Sequence, residues 1–165
     1  MRAFIAGCGR TGAGLAARLA AAGHEVTIID TNSEAFDRLD HEFPGRALRA
    51  DVTDEDQLRR AGVEGVDLFF SLTEGDNRNI LAAQLASETL GVDRVVAKVN
   101  DPVRAEAYQA LGIATLCRTR LLADALAIYS GLPHDPGAEG VAPATGHHRE
   151  HDSASADVAA PAGGR

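Results

Sequence analysis

The sequence predicts a doubly wound α/β domain, and three observations predict it. Short apolar runs alternate with helical patterns through about the first four fifths of the 165 residues. Those runs are continuously apolar, as the strands of a parallel sheet covered on both faces are. A glycine cluster, Gly7-Cys8-Gly9-Arg10-Thr11-Gly12, stands between the first run and the first helical pattern. Strict alternation of this kind places helices on both sides of one sheet.

About six strands are expected: Arg2–Ala6, Glu25–Ile29, Ala47–Ala50, Asp67–Ser71, Arg94–Val99 and Ala114–Cys117. After the first, Leu15, Ala16, Leu19 and Ala20 make an apolar helical stripe that Gly23 ends. Phe36 and Leu39 mark a second helix. Thr53 reads as the N-cap of a third, with Asp54, Glu55 and Asp56 in a first turn suited to the positive helix end. Ile80, Ala83, Gln84 and Ser87 belong to a fourth, which ends near Gly91. Pro102 fits the first turn of a fifth, with Val103 to Leu111 behind it. A last, C-terminal helix carries Leu122, Leu126 and Tyr129 as its stripe. The sequence contains no internal repeat.

The chain divides near Leu132, into one folded domain over 1–132 and a disordered tail over 133–165. No aromatic residue follows that point, whereas four of the six prolines do (Pro133, Pro136, Pro143, Pro161). Such a segment buries too little apolar area to offset its ordering entropy. The tail is net −3 and leaves the domain about −5 of the total −8. An acidic balance argues against a nucleic-acid partner, which needs a basic face. His147, His148 and His151 lie in the tail, where solvated histidines are favoured over a metal site. No apolar stretch is long enough to span a bilayer, and no signal-peptide pattern precedes the glycine cluster, so the cytosol is the expected compartment. Cys8 and Cys117 form no CxxC pair and no metal pattern.

The glycine cluster has the GxGxxG spacing, in the strand-then-helix context that a dinucleotide site requires. Gly7 permits the tight turn, Gly9 lets backbone approach a pyrophosphate, and Gly12 lets the helix pack close to the strand. The helix N-terminus then offers free N–H groups to phosphates, and Arg10 adds a full charge there. Asp30 ends the second strand 18 residues after Gly12, near the spacing of a carboxylate that bonds an adenosine ribose. Together the two motifs describe a Rossmann-type fold that binds an adenine nucleotide. Asp30 would repel a 2′-phosphate, and the following Thr31-Asn32-Ser33 supply no Arg to attract one, so NAD(H) is favoured over the phosphorylated cofactor.

Topology suggests further site residues, because ligands lie at the carboxyl ends of the strands near the switch point. Asp51 and Val52 end the third strand and could edge the adenine; Asp51 reads equally as a turn residue. Thr73-Glu74-Gly75-Asp76-Asn77 follows the fourth strand, either lining the pocket or capping the next helix. Lys98 in the fifth strand either points to ligand phosphates or snorkels from an edge position. Cys8, at a helix N-terminus, stands where a thiol pKa can fall, although a small residue fitted into a tight loop is the favoured reading.

Residues 1–131 resemble the N-terminal RCK domain of Trk/Ktr-type potassium-uptake regulators. The resemblance rests on Ile5 to Gly12, Gly23 to Asp30, Ala50-Asp51-Val52-Thr53-Asp54, Leu58 and Ala61-Gly62-Val63. It continues through Thr73, Asp76-Asn77, Asn79, Ala97 to Pro102, Leu111-Gly112-Ile113 and Thr119 to Ala123. It implies a cytosolic regulatory subunit, peripheral to the inner face of the membrane, that binds NAD(H) or ATP/ADP and gates a membrane potassium-transporter subunit. It also implies a homodimer, a larger ring, or pairing with a second RCK protein. By the resemblance, nucleotide contacts fall on Gly7 to Thr11, Asp30, Thr73-Glu74 and Lys98, a position more often Arg in the family. Some ATP-binding members carry Glu where this chain has Arg120, which leans toward NAD(H). Members usually add a C-terminal RCK subdomain, whereas the folded part here is expected to end near Leu132.

Two other functions compete with the regulatory one. An NAD-dependent oxidoreductase needs a substrate pocket and a positioned acid or base. The domain's histidines, His24 and His41, do not stand at the carboxyl end of a strand, so no catalytic residue is assigned and an enzyme is not expected. A degenerate structural subunit would not need Gly7, Gly9, Gly12 and Asp30 intact.

Overall fold

The computed structural model describes residues 1–133; the expected tail lies outside them apart from Pro133. The six strands are β1 (Arg2–Ala6), β2 (Glu25–Asp30), β3 (Arg46–Arg49), β4 (Leu68–Ser71), β5 (Val95–Val99) and β6 (Thr115–Cys117). They form one sheet in the order β3-β2-β1-β4-β5-β6, and every pairing is parallel. Five α-helices connect or follow them: α1 (Arg10–Ala21), α2 (Glu55–Ala61), α3 (Asp76–Gln84), α4 (Pro102–Ala110) and α5 (Arg118–Tyr129). The architecture is the Rossmann-type doubly wound sheet.

Side chains alternate across each strand, so adjacent β1 residues serve different layers. Phe4 and Ala6 face one side with Ile29, Phe69, Leu58 of α2 and Ala82 of α3. Ile5 faces the other with Val26, Ile28 and Ala16 of α1. Phe4 and Phe69 are register partners, and their rings stack with centroids 5.6 Å apart. A third cluster joins Ile80 and Ala83 of α3 to Ala97, Val99, Ala105 and Cys117.

Several local expectations are corrected. The segment of Phe36 and Leu39 is a six-residue 3-10 turn over Ser33–Arg38 rather than an α-helix. Phe36 and the C-cap residue Leu39 stand three apart, the repeat of a 3-10 turn, and both pack with Ala35 against the α1 side of the sheet. The N-cap of α2 is Asp54, not Thr53: the Asp54 carboxylate accepts from the Gln57 N–H at 3.0 Å and from Gln57 Nε2 at 2.8 Å. Thr53 instead donates its N–H and hydroxyl to Asp51 Oδ1. After Gln84, α3 continues as a π-helical turn over Leu85–Thr89. Lys98 is not on an edge, because β5 lies between β4 and β6.

Candidate functional site

The chain runs outward from β1 to β3 and then returns to place β4 on the other side of β1. The carboxyl ends of β1 and β4 therefore diverge, and a crevice opens there. A cavity of about 300 Å³ occupies it. Of the residues singled out from the sequence, Gly7, Cys8, Gly9, Asp30, Val52, Thr73 and Glu74 line it. Arg10, Thr11, Gly12, Asp51 and Lys98 do not form its wall.

The three glycines have separable roles. Gly7 has φ +107°, and its N–H donates to Ile29 O at 2.8 Å, which turns the chain sharply off β1. Gly12 packs against that turn: a Cβ on it would lie 2.0 Å from Gly7 O. Gly9, the N-cap of α1, lines the cavity and has nothing within 4 Å of where a Cβ would stand. The first turn of α1 contains no acid and carries Arg10. An N-terminus of this kind favours an anion.

Asp30 fastens the glycine loop to the end of β2. Its Oδ2 accepts from the Cys8 N–H at 2.8 Å and its Oδ1 from the Asn32 N–H at 2.9 Å. The carboxylate thus has a turn-holding role, and its remaining lone pairs are left for a ligand. Cys8 is fully buried in the α1-side core. Burial first, and the Asp30 carboxylate second, push its thiol up to about 11. The lowering open to a thiol at a helix N-terminus does not occur, because the side chain turns into the core.

The loop after β4 is held from beneath by Asn79, which is completely buried. Asn79 Oδ1 accepts from the Thr73 N–H at 2.8 Å, the Thr73 hydroxyl at 2.6 Å and the Ser71 hydroxyl at 3.1 Å. Its Nδ2 donates to Thr73 O at 3.0 Å and to Lys98 O at 2.8 Å. The Lys98 side chain is half-buried, and burial foremost, then Arg118, lowers its pKa. Asp51 lies in an adjoining groove with Thr31, Arg49 and Gln57. The Thr53 N–H, then the Thr53 hydroxyl, hold the Asp51 carboxyl below its usual range. Arg120 is ion-paired with Glu106 of α4.

Two cavity-lining arginines, Arg38 and Arg78, escaped the sequence reading. Arg38 is carried back toward Asp30 by the 3-10 turn, and Arg78 projects from α3. Neither belongs to a recognisable motif. Among the described residues no group of His, Cys, Asp and Glu could hold a metal ion; the tail histidines lie outside them. Among the described residues no helix is long and apolar enough to cross a membrane.

The TrkA-N domain model matches residues 3–119. The chain is 45% identical over 124 residues to the Trk system potassium uptake protein TrkA of Streptomyces coelicolor, covering 75% of this chain and 56% of that relative. It spans about half the length of the curated relatives it matches. Among solved structures, the Kef CTD of Shewanella denitrificans in AMP-bound form is similar with TM-score 0.67 at 23% identity, over 79% of each chain. The GsuK channel bound to NAD is similar with TM-score 0.65 at 19% identity, over 77% of this chain and 23% of that one. At such identities the likeness is one of fold. The family match, by contrast, runs from β1 into the first turn of α5, and the chain belongs to the TrkA-N domain family.

Proposed function

We propose that residues 1–132 are a nucleotide-sensing regulatory domain of a potassium-uptake system, with NAD(H) the favoured ligand and ATP or ADP the alternative. One observation carries the reading: loops from the ends of β1, β2, β3 and β4 converge on a single cavity at the switch point. Gly7, Gly9 and the α1 N-terminus with Arg10 and Thr11 take the phosphates. Asp30 takes the adenosine ribose, Val52 edges the base, and Thr73 and Glu74 close the far wall. Cys8 contributes its backbone, and Gly12 holds α1 in place. Lys98 and Asp51 stand outside the cavity wall, Lys98 offering charge to the phosphates and Asp51 lying in the groove beside the base. The NAD and AMP held by the GsuK and Kef relatives support an adenine ligand here.

Regulation is favoured over catalysis by the TrkA-N family match, and among the described residues no histidine lines the cavity. His24 precedes β2, at the edge of the sheet opposite the crevice. The partner is a membrane potassium-transporter subunit, which places the domain at the cytoplasmic face of the membrane. α5 supports assembly with a second copy or a second RCK protein: none of its residues is buried, and Leu122, Leu126 and Tyr129 are exposed. Equilibrium dialysis with NADH, ATP and 5′-AMP tests the ligand. Potassium uptake in a transport-deficient cell carrying the membrane subunit tests the role, with wild-type protein, Gly9→Val or none. Equal uptake in all three overturns the regulatory reading. NADH turnover with a small-molecule substrate supports an oxidoreductase instead.

A further inference from the structure

We propose that Arg78 is the residue that recognises the base: its guanidinium stacks on the adenine, so that the ring lies between Arg78 and Val52. The inference rests on the adenosine reading of the cavity given above.

A flat heterocycle is held by its two faces. Val52, with Ala50 and Leu72, gives the cavity an apolar surface for one of them. Among the described residues no Phe, Tyr or His lines the cavity to cover the other. The broad flat groups on its wall are the guanidinium groups of Arg38 and Arg78. A guanidinium stacks on a base through dispersion and the attraction of its charge for the π-system, while its N–H edge stays in water.

The two arginines serve different ends of the cavity. Arg38 stands on the α1 side of the sheet, where its Nη1 donates to Ala35 O at 3.3 Å. Its charge reaches Cys8, opposing the larger raising effects of burial and Asp30 on that thiol. This is the end of the glycine loop and of the ribose. Arg78 extends from the first turn of α3, the helix that shares the other face of the sheet with α2. Its charge reaches Asp51, where it adds to the stronger lowering by the Thr53 N–H and hydroxyl. Asp51 adjoins Val52, so Arg78 reaches over the end where the base is placed.

The group is available to a ligand. Among the described residues no carboxylate lies within 4.0 Å of the Arg78 guanidinium, that of Glu74 on the same cavity included. Its backbone is fixed, because the next residue is Asn79, fully buried and bonded to Ser71, Thr73 and Lys98 O. The side chain thus extends from a firm wall. A phosphate contact is the rival use of the same charge, and the two uses are separable. Stacking goes with the base, which AMP, ADP, ATP and NADH share, whereas a phosphate contact grows with phosphate charge.

The test is calorimetric titration of the full chain with AMP, ADP, ATP and NADH, in wild type, Arg78→Ala and Arg78→Lys. Arg78 is exposed and outside the core, so the variants are expected to keep the wild-type melt by circular dichroism. Arg78→Ala should weaken all four ligands by about five- to thirtyfold, the scale of a partly desolvated cation–π contact, and by factors within about threefold of one another. Arg78→Lys keeps the charge but not the plane and should bind like Arg78→Ala. A loss that climbs by about tenfold or more from AMP to ATP, or wild-type affinity in Arg78→Lys, assigns the residue to the phosphates and overturns the proposal. Unchanged affinity in Arg78→Ala for every ligand overturns it too and leaves the nucleotide pocket standing. Binding of none of the four by the wild-type chain overturns both readings.

Discussion

Gly9 and Gly12 are three residues apart in one motif, and the structure predicts opposite consequences for substituting them. A Cβ at Gly12 would stand 2.0 Å from Gly7 O, 1.0 Å inside the 3.0 Å limit that real Cβ atoms respect. The obstacle is backbone in a turn already held by Ile29 O, so α1 must move off the sheet. Overpacking of this kind costs about 1–3 kcal/mol or more, against about 1 kcal/mol regained from alanine's helix propensity. The net loss for Gly12→Ala is therefore up to about 2 kcal/mol, the severity of the 2.0 Å approach placing it toward the upper end, or a fall in Tm of up to roughly 7 °C for a domain of this size. At Gly9 the φ of −74° suits any residue and the Cβ direction is open. Gly9→Val costs at most about 1 kcal/mol as a poorer N-cap but fills the approach to the phosphates. It should fold and lose nucleotide affinity by about a hundredfold or more. Thermal melts by circular dichroism and NADH titrations check both. A Gly12→Ala melt at the wild-type temperature, or wild-type NADH affinity in Gly9→Val, would refute the division of roles.

Asp30→Ala should weaken NADH by about 1.5–3 kcal/mol, the range for a hydrogen bond to a charged group, and also loosen the loop by freeing the Cys8 and Asn32 N–H groups; unchanged affinity in a titration refutes the ribose assignment. With its thiol raised to about 11, Cys8 should resist iodoacetamide at pH 8 in the folded protein and react after denaturation, as read by mass spectrometry. The sign for stability follows: the neutral thiol's contribution is complete below the unfolded pKa of about 8.5 and is lost as pH rises toward 11. Deleting residues 134–165 should leave Tm within about 2 °C, because the domain is proposed to be complete at residue 132; a larger fall moves that boundary.

What was legible in the sequence was local. The glycine loop and Asp30 are adjacent in one βαβ unit, so spacing alone brings Gly7, Gly9 and Asp30 to one place. Five of the six strands were legible because a buried parallel strand leaves a continuous apolar run; β3, at the sheet edge with no buried residue, is not such a run, yet all six agree with the expected ends within about one residue. Arg38 and Arg78 were not legible as a pair, because a 3-10 turn and α3 bring them to one cavity from distant parts of the sequence. The direction of the Cys8 shift was also hidden. Helix position and burial act oppositely on a thiol, and only the side chain's direction into the core decides between them. Asn79 stood in the family pattern without a role, since its partners Ser71, Thr73 and Lys98 lie on three other segments.

The bonding of Asn79 also decides which wall of the pocket can respond to a ligand. Thr73 cannot shift without breaking bonds to a fully buried amide, and the same amide holds Lys98 O of β5. Leaving such a group unsatisfied costs about 1–3 kcal/mol per partner. Asp76 adds a second tie, accepting from the Asn100 N–H at 2.9 Å and the Asp101 N–H at 3.2 Å, while Asp101 caps α4. The Thr73 wall, β5 and the start of α4 therefore move as one body. The opposite wall, Ser33–Arg38, is a short turn with Ala35 as its buried residue, held by the Asn32 cap at 3.0 Å and the Arg38 bond at 3.3 Å. Ordering on nucleotide binding should fall on that wall. In hydrogen exchange, amides of residues 33–38 should exchange faster than those of 69–73 and 79–83 in the free protein, and saturating NADH should slow the first set most. Slowing confined to 69–73, with 33–38 unchanged, would place the responsive wall on the Asn79 side and refute this assignment.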